Sequence, residues 1–235
     1  MTAPTNTDTL RQALQEPLPL QLSPLMGTGF LDGGEAGRFA IYTEPPEAPG
    51  RDEVLAGLRA LLAAQADAQA SGEALDGEDW EPGQAFEMDM DSDEVCGQVL
   101  FYRLILARDL DPVGYCAFEI NADETGVIFV TLVESWVRAQ YQPLGVQRGF
   151  VLQMAGAVYA VLAELDARLQ AAGEHGASFE VLLGLEQESD DSGALLEALR
   201  DTLRAWTGPS APSDAERQPL GIAAVNVSVI GGSAA

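Results

Sequence analysis

Between Pro143 and Ala172 the chain repeats apolar residues at helical spacing, and this run constrains the fold more than any other feature. Val151, Ala155, Val158, Leu162, Leu165 and Leu169 recur at steps of four and three, which places all six on one stripe of an α-helix. A helix of that length reaches roughly 40 Å at 1.5 Å per residue, so it needs a sheet or other helices to lie on. Gly149, Gly156 and Ala163 fall seven apart on a neighbouring line, where another backbone can come close. Pro143 suits a first helical turn, whose N–H groups have no partner within the helix. Gly173 is a natural stop.

The residues before the helix supply a sheet. AFEMDMD (85–91) alternates Phe86, Met88 and Met90 against Glu87, Asp89 and Asp91, which is period two with one wet, acidic face. QVLFYRLILARD is apolar on both faces, as a central strand is. LDPVG is read as the turn into GYCAFEINAD, and NADETG as the turn into GVIFVTLVES, completing an antiparallel meander. Upstream, RFAIYTEPP reads as a short strand, and DEVLAGLRALLAAQADAQA as a helix with Val54, Leu58, Leu61 and Leu62 on its apolar side. After the long helix come a strand in SFEVLLGLE, an amphipathic helix in GALLEALRDTLRAW and a last strand in IAAVNVSVI. The expected fold class is α+β: an antiparallel β-meander packed against one long helix, with additional flanking helices and strands. Residues 1–35 are expected to form an irregular arm, 36–230 the domain with its core over 85–172, and 231–235 a disordered tail.

Charge narrows the function classes. The 235 residues hold 37 Asp and Glu against 12 Arg, with no lysine, for a net charge of -25. Such a field repels nucleic acid and anionic lipid and attracts a basic partner. No apolar run of about 18 residues suggests a membrane span. The start, MTAPTNTDTLRQ, lacks the basic and apolar regions of a signal peptide, so a cytoplasmic location is expected. Cys96 and Cys116 lie in apolar strand-like runs without metal-ligand spacing, which fits buried free thiols.

Candidate chemistry is sparse. DMDSDE (89–94) begins like a calcium loop, but Glu94 replaces the sixth-position glycine and Leu100 the twelfth-position glutamate. His175, the only histidine, lies in the Gly-rich turn GEHGAS, which gives Ser-His or Cys-His catalysis no supporting geometry. Trp80, Trp136 and Trp206 lack the interleaved basic residues of a nucleic-acid platform. No catalytic or metal-ligating set and no cofactor is therefore expected.

One stretch, VRAQYQPLGVQRGFVLQM (137–154), resembles the pyrophosphate loop of the GNAT acetyltransferases, V-x-P-x-Y-R-G-x-G-[IV]-G-x-x-L-[LM]. Val137, Ala139, Tyr141, Gln142, Pro143, Gly145, Val146 and Gln147 stand in the matching order. A strand before, a helix after and the strand of SFEVLLG extend the resemblance over roughly residues 97–205. It implies a fold that takes acetyl-CoA, with Gln142, Gly145 and Gln147 against the cofactor. The departures are specific. Pro143 replaces a glycine and removes an N–H, Gln147 brings a long side chain to the anion position, and only Arg138 and Arg148 offset the cofactor's charge. Glu134 is the nearest potential base, though it does not align with the family's strand glutamate, and ALLEALRDTLRAW has no tyrosine acid.

A second resemblance covers residues 97 to about 172. The order of elements, and the pattern G-x-x-x-F-x-I … G-x-I-x-V before a Leu/Ala-rich helix, are similar to the YbjN family and the type III secretion chaperones. That resemblance implies a non-enzymatic, cytoplasmic, homodimeric, chaperone- or adaptor-like protein. Joined to the acidity, it gives the expected function: engagement of a basic protein partner, a nucleic-acid-binding protein being the first kind to look for, with Asp89, Asp91, Asp93 and Glu94 as first contact candidates. The GNAT reading, active or catalytically silent, is the alternative.

Overall fold

The computed structural model describes residues 7–18, 22–44, 53–54, 56–61, 63, 98–186, 190–208 and 220–230. The long helix, α2, runs from Gln147 to Ala171, and every member of its stripe is at most 5% exposed. Burial extends well beyond the stripe: Phe150, Met154, Ala157 and Val161 are also fully enclosed. The helix is buried on two sides because it has two sets of neighbours. By length and composition it passes for a membrane span, yet it lies in the core.

On one side is the sheet. Strands β1 (Leu25–Met26), β2 (Phe39–Glu44), β3 (Gln98–Arg108), β4 (Asp111–Ala122) and β5 (Val127–Val137) pair antiparallel in chain order. The alternation in β3, β4 and β5 sends Leu104, Phe118 and Val130, with their equivalents two residues away, into the core with α2. The opposite face of β3 and β4 carries Ile105, Ala107 and Tyr115, which pack with Val54 and Leu58. Residues 53–63 are helical wherever they are described. That second cluster is why QVLFYRLILARD is apolar on both faces.

The meander then continues differently. β6 (Ser178–Leu185) and β7 (Ala224–Val229) join the sheet parallel to their neighbours. Parallel neighbours need a crossover; α2 makes the first and helix α3 (Asp190–Thr207) the second. The fold class is α+β as expected, a meander on one long helix with flanking elements, and the sheet is mixed.

On the other side of α2 lie α3, through Leu195, Leu196, Leu199 and Leu203, and the N-terminal arm, through Leu10, Leu18, Leu22 and Phe30. The arm carries a short helix, α1 (Thr7–Ala13). Arg168 of α2 fastens it, donating to the carbonyl oxygens of Ala13 (2.7 Å), Glu16 (2.7 Å) and Pro17 (2.8 Å). The first is a C-terminal carbonyl that a short helix leaves unsatisfied, and the other two belong to the turn that follows it. Gln153 donates to Ser23 O at 2.9 Å and Thr43 Oγ1 to Leu22 O at 3.0 Å. The line of small residues on α2 therefore receives side chains of the same chain. A Cβ on Gly149 would lie 2.5 Å from Ile41 Cδ1 and 3.0 Å from the Phe30 ring.

Two turns differ from their sequence reading. The β3–β4 turn is Asp109–Leu110, both with positive φ, and Pro112 lies inside β4, beside a register shift between Leu106 and Ala107. An irregularity of that kind is where a strand admits proline. The helix expected from Pro143 begins at Gln147, because Ala139–Leu144 form a tighter 3-10 turn that ends at Gly145 in the left-handed region (φ 70°). The NADETG turn is as expected, closed by Asp123 Oδ1 accepting from Thr125 N (2.8 Å) and Val127 N (3.0 Å).

Candidate functional site

The far end of β5 departs from regular pairing. In the β4–β5 pair Ala117 faces Glu134 while Phe118 faces Leu132, so Val133 is an extra residue. Such a bulge bends its strand and turns the side chains that follow. On its other edge β5 pairs with β6 only from Val127 to Leu132, and Glu186 N to Leu132 O (3.0 Å) is the last link. Val133–Val137 continue without a partner on that edge among the described residues. β5 thus overhangs the end of β6, at the carboxyl ends of two parallel strands, where open sheets commonly hold ligands.

The start of α2 packs beside this strand end. Val137, Val146 and Phe150 are buried in the same core, which ties the strand end to the first helical turn. Gln142 Nε2 donates to Val137 O at 3.1 Å, so this side chain hooks the loop to the strand. Gly145 and Gln142 are exposed, and Gln147 is half-buried at the first helical position. The three sequence candidates for a cofactor therefore meet on one short loop.

The electrostatics of that helix start are unusual for this chain. Val146 makes no side-chain cap and the first turn holds no acidic residue. Arg148 N and Gly149 N bond back to Gly145 O and Val146 O; the amides of Val146 and Gln147 have no backbone acceptor among the described residues. A helix N-terminus carries about half a positive charge, and a cation there is unfavourable. The exposed Arg148 nevertheless stands in the first turn. The other two arginines expected near this helix have partners: Arg138 reaches Asp111 at 3.2 Å, and Arg168 holds α1.

Across the sheet from α2, the bulge aims Glu134 at Tyr115, whose hydroxyl donates to the carboxylate. The Trp136 ring lies 6.1 Å from that of Tyr115. Sequence reasoning found Glu134 and missed Tyr115, because pairing the two depends on a bulge that leaves no mark in the strand's alternation. A further set of charges brackets the loop from the arm's side. Arg108 Nη2 contacts Glu35 Oε2 at 2.5 Å, while Arg38 Nε donates to Asp109 at 2.6 Å. These arginines hold the Glu35 and Asp109 carboxyls below their ordinary ranges, the direct hydrogen bond being the larger cause for each.

Other candidates separate from this region or lie beyond view. Asp89, Asp91, Asp93, Glu94, Cys96 and Trp80 are outside the described residues. His175 is exposed in a turn between Gly173 and Gly176, both with positive φ. Cys116 is fully buried, and loss of water, aided by the nearby Glu134 charge, pushes its thiol pKa well up. Among the described residues no three His, Cys, Asp or Glu side chains cluster as a metal site. A groove of about 360 Å³ between α1 and the far end of α2 is lined by Gln12, Glu16 and Arg168, and Arg168 is already committed there.

No protein-family model matches the chain, and no curated protein does. Among solved structures it is similar to an aminoglycoside acetyltransferase from an uncultured soil metagenomic sample, crystallised in complex with trehalose. That match has a TM-score of 0.31 and 13% identity, and covers 77% of this chain and 92% of the other. At that distance the function has to be argued from this chain's own geometry.

Proposed function

We propose that the overhanging end of β5 and the start of α2 bind an acyl-coenzyme A or a close chemical relative. One observation carries this reading: β5 runs on past its last pairing with β6, at Leu132, beside a helix start that carries unneutralised positive potential in a chain of charge -25. A pyrophosphate would meet the free amide of Gln147 and the Arg148 guanidinium, the usual chemistry of an anion at a helix N-terminus. The amide-bearing arm of coenzyme A suits an unpaired strand edge such as Val133–Val137, since both offer backbone-like donors and acceptors. The resemblance of residues 137–154 to the GNAT loop implies the same ligand and the same Gln142, Gly145 and Gln147. Acetyl transfer to an amine would then call on Glu134 as base.

Titration calorimetry with acetyl-CoA tests this directly. A one-to-one signal with Kd on the order of micromolar is expected, weakened about tenfold or more by Arg148→Glu, which reverses the charge at the anion site. No heat at millimolar ligand would end the proposal.

A second reading, a chaperone- or adaptor-like module for a basic protein, draws its support from the net charge of -25 and from the resemblance to the YbjN family. It places the first contacts at Asp89, Asp91, Asp93 and Glu94 and needs no cofactor site. It predicts salt-sensitive capture of a basic partner by a chain that ignores acetyl-CoA.

A further inference from the structure

The sheet has two edge strands, and they are defended unequally. β1 is two residues long, and brevity blunts that edge. β7 stands at the other edge. Its sequence, AVNVSV, is β-branched at alternate positions and holds neither proline nor charge, the devices that normally protect an exposed edge. The chain carries no charged side chain from Gln218 to Ala235, although its net charge is -25. Among the described residues no strand lies outside β7.

The pairing with β6 decides which backbone groups this edge presents. Ile230 N donates to Leu183 O at 2.8 Å. Along a parallel ladder, residues that bond the neighbouring strand alternate with residues that turn away from it. Ala224, Asn226 and Ser228 therefore face β6, and the N–H and C=O groups of Val225, Val227 and Val229 point outward. One of these outward groups is held within the chain: Arg204 of α3 donates from Nη2 to Val227 O at 2.7 Å. The valine side chains pack with the core, so Asn226 and Ser228 lie on the opposite face, exposed and half-buried.

We propose that β7 is the surface on which two copies of this chain pair, edge to edge and antiparallel, about a two-fold axis through Val227. Such an axis sets Val227 opposite the partner's Val227 and Val225 opposite the partner's Val229, so the outward N–H groups of each strand meet outward C=O groups of the other. On the face away from the core it sets Asn226 opposite the partner's Ser228, two small uncharged side chains, where like charges would destabilise the pair. A second copy is the occupant that fits. The strand is its own complement under two-fold symmetry, and it lacks the charges by which two acidic chains repel each other. Pairing requires Arg204 to release Val227 O, so Arg204 caps the edge in the single chain and limits how tightly the pair forms. Pairing of this kind is independent of the coenzyme A reading.

Light scattering on the full chain, over a concentration series in moderate salt, tests this with two double variants. Asn226→Lys with Ser228→Lys sets like charges opposite each other and should move the mass from that of two chains to that of one. Asn226→Lys with Ser228→Glu sets opposite charges at the same positions and should keep the pair. Circular dichroism should show both variants folded, since neither position is in the core. Arg204→Ala should tighten the pair about tenfold, as expected when a competing hydrogen bond from a charged donor is removed. In amide exchange, Val225, Val227 and Val229 should gain protection as concentration rises. A monomer mass for the wild type and Arg204→Ala at every concentration would overturn the proposal. So would a pair that survives the double lysine variant, or one that forms without protecting the β7 amides.

Discussion

Leu162 lies at the middle of α2 and is fully buried between sheet and helix. Its truncation removes packing on both sides, so Leu162→Ala should cost about 2–5 kcal/mol, read from chemical denaturation with the slope unchanged. A loss below about half a kcal/mol would mean that the site can collapse or is exposed. Cys116 makes a different forecast. Its thiol is enclosed and its pKa raised by burial, so thiolate reagents at neutral pH should modify it only at the rate of unfolding. The surface carboxylates set the acid limit. Glu35, Asp109 and Glu124 all have folded pKa values lowered by arginine partners. Their contribution is complete above the ordinary carboxylate range and is lost as pH falls below about 4 towards the lowered values. Stability should therefore decline on acidification through that window, and replacing Arg38 by Gln should flatten the decline.

At the scale of elements, α2 was the most legible part of the chain because a period of 3.6 sustained from Val151 to Leu169 has one interpretation. The strands of the meander were legible for a similar reason, with turn residues between alternating runs. Two features were not. Whether SFEVLLGLE pairs parallel or antiparallel leaves no trace in its own alternation; the direction comes from the crossover of α2. The bulge at Val133 is equally silent, since ESWV continues a plausible strand. The candidate loop was visible as a motif, but its distinguishing property, a strand edge left open beside it, appears only in three dimensions. The element scale also carries a prediction about the arm. Arg168→Ala removes the donors to the carbonyls of Ala13, Glu16 and Pro17 and should make residues 7–18 exchange their amides faster. Proteolysis within that segment should rise too, with no such change in β3 or β4.

For the whole molecule, charge is the governing quantity. If capture of a basic partner is its function, affinity should fall as salt rises from low values to 0.1 M and beyond, where screening acts over about 10 Å. Neutralising Asp89, Asp91, Asp93 and Glu94 should weaken it similarly. Flat salt dependence would point to an apolar interface, and a need for molar salt merely to stay folded would assign the acidity to a saline environment. Two-fold pairing stands as a proposal as well. The face of α2 where another backbone can come close is filled by α3 and the arm, so the pair must use another surface against the repulsion of two chains of -25. Light scattering in moderate salt should give about twice 24.9 kDa; the monomer mass would end that idea.

The fastening of the arm by Arg168 also has a consequence for biosynthesis. Ala13 and Arg168 are 155 residues apart, so the arm leaves the ribosome long before its anchor exists. At about 5–20 residues per second, it waits roughly 8 to 30 s, its leucines without their seat on α2. Closing the arm must then be among the last steps of maturation. An N-terminal fusion that delays the arm's docking should extend the time during which a nascent or freshly released chain needs help from cellular chaperones.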